Sequence, residues 1–221
     1  MIVFLKVPQK TSVKTRLAKS LGQEAATNLY IHFVTDILET LKRSRHTFII
    51  CYYPPDAQPE AADWLGHAQT LLPQRGDNLG LRMSNAFVTL FSKGFQKVLL
   101  MGTDFPDLPT EIIDTAFHSL TANDAVIGPS VDGGYYLIGF RTATFLPAVF
   151  DDMPWATEDV FTKTMKVFSK KGLKVHVLPQ WRDIDTYEDL EFFIKTYTKS
   201  QPTASNTVAY LKSIGFNLKP V

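Results

Sequence analysis

A single cysteine stands among 221 residues, so no intrachain disulfide can form and no thiolate metal cage can be assembled. That residue, Cys51, lies inside the apolar run TFIICYY, where a buried, inert thiol on a strand is the expected role. Histidine is sparse too, and His32, His46, His67, His118 and His176 show no ligand spacing, which argues against zinc. Neither sign of charge is in excess, because 23 lysines and arginines meet 22 aspartates and glutamates without long blocks. The broad positive surface of a nucleic-acid-binding protein is therefore missing. Long hydrophobic runs are missing as well, so no membrane span is expected, and MIVFLKVP carries only five apolar residues ahead of Lys6, too few for a signal-peptide core. The expectation is a soluble, cytoplasmic protein without internal repeats.

With 45% hydrophobic content the chain can build one sizeable core. MIVFLKV reads as a first strand, and the segment 26–44 places apolar residues three and four apart, as a helix lying on a sheet does. Further strands are expected in HTFIICYY, QTLLPQ, KVLLMGTD, DAVIGPS, YYLIGF and LKVHVLP, with helices between most of them. This alternation predicts an α/β fold, a single domain with a mostly parallel sheet covered by helices on both faces. The domain is expected to span residues 1–198, with 199–221 forming a polar connector and a last amphipathic helix that packs back on it. Thr110 reads as the cap of the helix TEIIDTAFHSL, which leaves Asp104, at the end of the strand KVLLMGTD, without a structural task. Ligands of such sheets bind at the carboxyl ends of strands, where Asp104 falls.

Three polar clusters follow apolar strands. In KVPQKTSVKTRLA, Lys6, Lys10, Lys14 and Arg16 bring cations between a strand and a helix, which suits phosphate; a solvated basic loop is the plainer alternative, and a Walker loop is excluded because its glycines are absent. The loop from Pro8 to Thr15 has no evident apolar anchor and is expected to order around phosphate. In GPSVDGGYYLIGF, Asp132 precedes Gly133 and Gly134, which either turn a hairpin or let backbone approach a ligand. In WRDIDTYEDLEFF, Asp183 and Asp185 share a face of an extended segment, while Thr186 and Asp189 fit the cap and fourth position of a helix start. A phosphate-binding loop beside separated carboxylates suits a hard divalent cation, Mg2+ or Mn2+.

The segments VKTRLA, GDNLGLRM, GTDFPDLP, GPSVDGGYYLIGF, MPWATEDVF and DIDTYEDL occur in the order seen in a bacterial family of glycosyltransferase-A-type proteins, relatives of nucleotide-diphospho-sugar transferases and sugar nucleotidyltransferases. The resemblance runs from Met1 to about Thr198. It implies a nucleotide-sugar or nucleoside-triphosphate site with Lys6, Lys14, Arg16 and Arg82 toward phosphates, and with Asp104 and Asp185 as metal ligands. It further implies Asp132 as the catalytic acid or base, and Gly133, Gly134, Tyr135 and Trp155 around the sugar or acceptor. Two positions depart from the family pattern: Lys10-Thr11 replaces a Pro-Gly pair, and Asn78 replaces an acid.

Three functions are compatible with these residues. Glycosyl transfer from a nucleotide-diphospho-sugar to a small-molecule acceptor is the first. Nucleotidyl transfer with release of pyrophosphate is the second, and a non-catalytic nucleotide-binding domain is the third. An oligomer is left open.

Overall fold

The computed structural model describes residues 1–200 and 205–216. Strand β1 (Ile2–Lys6) shows why the sheet must be covered twice: Ile2 and Phe4 enter one apolar core, while Val3 and Leu5 enter another on the opposite face. The same alternation recurs in β2 (Ile49–Tyr53), where Cys51 is fully buried as expected, and in β4 (Lys97–Met101). Helix α2 (Gln23–Ser44) covers one face with Tyr30, Val34, Ile37 and Leu41, joined by α3 (Gln58–Leu65) and α5 (Thr110–Ser119). Helix α4 (Leu79–Ser92) covers the other with Met83, Phe87 and Leu90, alongside Phe168 of α6 (Val160–Lys170).

Strands β3 (Leu71–Pro73), β5 (Ala125–Pro129), β6 (Tyr135–Arg141) and β7 (Val175–Val177) complete one seven-stranded sheet in the order β3-β2-β1-β4-β6-β5-β7. Only β6 runs antiparallel to its neighbours, because the VDGG segment turns it back directly from β5. The chain steps outward from β1 to β2 and β3, then returns to lay β4 on the other flank of β1. That reversal opens a crevice beyond the carboxyl ends of β1 and β4.

A short helix α1 (Thr15–Leu21) precedes α2 and is separated from it by Gly22, whose φ of 81° ends the first turn run. Thr110 is not the cap of α5; it is the first helical residue, after Pro109, and its hydroxyl meets Glu111 instead. The start of α7 (Tyr187–Ser200) does follow the expected pattern. Thr186 Oγ1 accepts from the Asp189 amide at 3.2 Å, and Asp189 Oδ2 accepts from the Thr186 amide at 3.0 Å, a reciprocal box. Helix α8 (Asn206–Ser213) is held on α2 by the Asp36 carboxylate, which accepts from the amides of Asn206 and Thr207, and by Val208 and Leu211 against Leu29 and Phe33. Of the expected segment 199–221, residues 201–204 and 217–221 lie outside the described residues. Among the described residues no helix is long and apolar enough to cross a membrane.

Candidate active site

Two cavities open at the carboxyl edge of the sheet and meet over Gly102, Asp104 and Asp185. The larger, about 480 Å³, follows the crevice between β1 and β4 and continues over β2 and β3. Its cations are Lys6 at the end of β1, Lys14 and Arg16 at the start of α1, and Arg82 on the first turn of α4. The smaller, about 270 Å³, lies over the β5–β6 turn and the segment before α6.

Lys14 dominates the junction. Its backbone is left-handed (φ 48°), which turns the side chain inward, its ammonium over the Phe33 ring, until the side chain is only 3% exposed. An ammonium has three N–H groups, and here all three are used: Asp104 Oδ1 at 2.5 Å, Asp185 Oδ1 at 2.8 Å and the Ile184 carbonyl at 2.7 Å. Burial would lower the Lys14 pKa, but the charges of Asp104 and Asp185 outweigh it and the net direction is upward. The two carboxylates therefore do converge on one point, and in this state the cation there is Lys14. Arg16, 63% exposed, sits 3.8 Å from Asp185, and Lys6 is exposed. The loop before α1 is anchored after all, by buried Val13 and by the Lys10–Glu60 pair at 2.7 Å. Beneath it, Tyr30 Oη accepts from the Lys6 amide and from Thr103, and burial pushes its pKa up to about 12.

At the far end of the larger cavity Arg82 stacks on Tyr53, with its guanidinium carbon 4.4 Å from the ring centre. Asn78, which stands where the family pattern has an acid, caps α4 by accepting from the Leu81 amide. Gln74, which the sequence did not single out, is buried here.

Asp132 lines the smaller cavity and also accepts from the Gly134 amide at 2.9 Å, which shapes its own turn. Gly134, Tyr135 and Trp155 line the same cavity, and the two rings meet nearly edge to face. Gly133 does not line it. Its φ is 88°, and an added Cβ would fall 2.3 Å from the backbone of Glu158, so this glycine serves the turn and the packing of the segment before α6. Asp183, placed in the polar cluster with Asp185 by the sequence but given no site role, is only 8% exposed: it accepts from Ser130 Oγ at 2.9 Å and lines the cavity. Burial, with Asp132 and Asp185 nearby, raises its pKa to about 6. The adjacent Arg182 and Trp181 face away from the junction, Arg182 pairing with Asp189 and the Trp181 indole donating to Asp107.

Among the described residues no three metal-ligating side chains cluster. Two carboxylates at a phosphate-sized cleft nonetheless fit magnesium, which takes one or two carboxylates and fills its shell with phosphate oxygens and water. The convergence of Asp104 and Asp185 on a shared cation meets that requirement.

Comparison with known proteins agrees with this architecture. Residues 37–157 match the family described as an uncharacterised protein conserved in bacteria, DUF2064. The crystal structure of a candidate nucleotide-diphospho-sugar transferase from Desulfovibrio desulfuricans G20 superposes with a TM-score of 0.92 at 42% identity, covering 97% of this chain and 94% of that one. The 2-phospho-L-lactate guanylyltransferase of Methanocaldococcus vulcanius is 27% identical over 233 residues, covering 100% of this chain and 94% of the relative. The 4-diphosphocytidyl-2C-methyl-D-erythritol synthase of Anaerococcus prevotii, at 15% identity and a TM-score of 0.57, covers 96% of this chain and 95% of its own and shares the fold.

Proposed function

We propose that this chain, which belongs to the DUF2064 family of uncharacterised bacterial proteins, is a nucleotide-dependent transferase that moves a glycosyl group from a nucleotide-diphospho-sugar to a hydroxyl acceptor. The contrast in charge between the two cavities supports this most. The larger carries Lys6, Lys14 and Arg16 toward the junction, as a diphosphate requires, and Arg82 at its far end. Asp104 and Asp185 line both cavities, and the smaller adds Asp132 and Asp183 with aromatic rings; among the described residues no lysine, arginine or histidine lines it. Carboxylates accept hydrogen bonds from sugar hydroxyls, and ring faces cover the apolar side of a sugar. A phosphorylated acceptor would meet the carboxylate of Asp132, and that of Asp183 once ionised, with no cation beside them; each like charge is worth about 1 kcal/mol of repulsion at ~4 Å in water and more in a drier site.

In this reading the acceptor oxygen forms a bond to the anomeric carbon while the bond to the diphosphate breaks, and the electron pair leaves on the phosphate oxygen. Arg16 and Lys6 stabilise that charge. The acceptor proton passes to a carboxylate oxygen of Asp132 or Asp183, which also orient the hydroxyl. Asp104 and Asp185 would hold magnesium or manganese, which when bound supplies further positive charge to the departing diphosphate.

A second reading, nucleotidyl transfer, is favoured by the guanylyltransferase that matches along the whole chain. Product analysis separates the two. Incubation with nucleotide sugars and neutral acceptors should release nucleoside diphosphate; pyrophosphate release from nucleoside triphosphates, without nucleoside diphosphate from sugar donors, would establish the second reading instead.

A further inference from the structure

We propose that Gln74 reads the nucleobase in the larger cavity and that the base it selects is guanine. The inference rests on nucleotide binding there and holds for either transfer reaction. The charged groups Lys14, Arg16, Asp104 and Asp185 fix the phosphate end, so the base belongs at the other end, beyond β2 and β3, beside Tyr53, Leu79 and Arg82.

Gln74 follows β3 directly. Its main-chain amide donates to the Tyr52 carbonyl at 2.9 Å, and the side chain is buried, with 5% of the residue exposed. Both hydrogens of its side-chain amide are committed, one to the Leu5 carbonyl at 3.1 Å and one to the Cys51 carbonyl at 2.8 Å. Carbonyls only accept, so the amide orientation is forced: flipping it would set its oxygen against two other oxygens and leave three buried acceptors unpaired. The oxygen is the polar atom that this residue offers to the cavity it lines. It can accept and cannot donate.

A fixed acceptor with two lone pairs discriminates among bases. Guanine presents the ring N1–H and the exocyclic 2-amino group side by side, two donors for one oxygen. Adenine and cytosine place an unprotonated ring nitrogen next to their amino group, and that acceptor would be desolvated against another acceptor. Uracil offers a single N–H. Arg82, stacked on Tyr53, brings guanidinium donors to the same end of the cavity, where they complement the guanine carbonyl oxygen.

The test is calorimetric titration of the wild-type protein with GDP, IDP, UDP, ADP and CDP in magnesium buffer. GDP should bind at least about tenfold more tightly than ADP or CDP, and IDP, which lacks the 2-amino group, should fall between. Equal affinity for GDP and IDP, or binding of UDP, ADP or CDP as tight as that of GDP, would overturn the assignment while leaving nucleotide binding intact. Binding of none of the five would remove the nucleotide site itself. In Gln74→Met the preference for GDP over ADP should collapse while affinity for inorganic pyrophosphate is retained; a merely structural glutamine would weaken all three ligands alike. Should the variant fail to fold, the wild-type series alone decides.

Discussion

Replacing Lys14 by methionine probes the junction of the two cavities most sharply. The substitution keeps the bulk of the side chain but removes two hydrogen bonds and two ion pairs, leaving Asp104 and Asp185 facing each other and the Ile184 carbonyl without its donor. Losing one member of a buried charge cluster costs about 3–5 kcal/mol. The two carboxylates are 41% and 34% exposed, so water recovers part of that loss and a cost of about 2 kcal/mol is expected. For a chain of this size each kcal/mol lowers the melting temperature by roughly 2–4 °C, which gives a drop of about 4–8 °C. Magnesium should then matter differently in the two proteins. In Lys14→Met the carboxylate pair is free to take the ion, so millimolar magnesium alone should restore part of the lost melting temperature, whereas in the wild type the ammonium competes and the rise should be small. Differential scanning calorimetry with and without magnesium measures both effects. A variant that melts with the wild type, or equal magnesium responses, would refute the shared-cation reasoning.

Asp183 carries a pKa raised to about 6 from an ordinary 3.8, so the folded state holds its proton more tightly than the unfolded chain does. Ionising it in the fold is a cost that is absent at low pH and fully present above pH 6. Asp183→Asn should therefore stabilise the protein at pH 8, by up to roughly 2–3 kcal/mol, and change little at pH 4; chemical denaturation at the two pH values distinguishes this from a uniform effect. Asp132→Asn should lower turnover about a hundredfold with a nearly unchanged melting temperature, since Asn can still accept from the Gly134 amide; unchanged turnover would remove Asp132 from the chemistry. Thr186→Ala breaks the reciprocal box at the start of α7 and should cost about 1 kcal/mol in urea denaturation without altering nucleotide affinity.

The sheet was legible because its strands are apolar on both faces, and a run such as Ile2 to Leu5 can only be a strand covered twice. The Asp-Gly-Gly turn likewise announced the one reversed strand. Helix α1 was not legible: seven residues, closed by Gly22, are too few to display a period. In the site, Asp104, Asp132 and Asp185 could be read from strand ends, because polar residues there have no core to enter. Gln74 could not, since its amide is oriented by carbonyls 69 and 23 residues away in sequence, and Lys14 finds its partners 170 and 171 residues further on. Asp183 was visible only as a neighbour of Asp185 with period-two spacing; its burial against Ser130 depends on the parallel bridge between Ser130 and Trp181. Gly133 misled because a glycine needed for φ and close packing looks the same in sequence as one needed for a ligand.

The central claim is that a nucleotide lies along the crevice between β1 and β4, and the most direct measurement is a crystal structure of the protein with GDP and magnesium. The account predicts the diphosphate beside Arg16 and Lys14, a metal ion between the phosphates and the carboxylates of Asp104 and Asp185, and the base against Tyr53 with its N1–H edge on Gln74. Diphosphate density in the smaller cavity over Asp132 and Trp155, or a base turned toward Asp183, would contradict it.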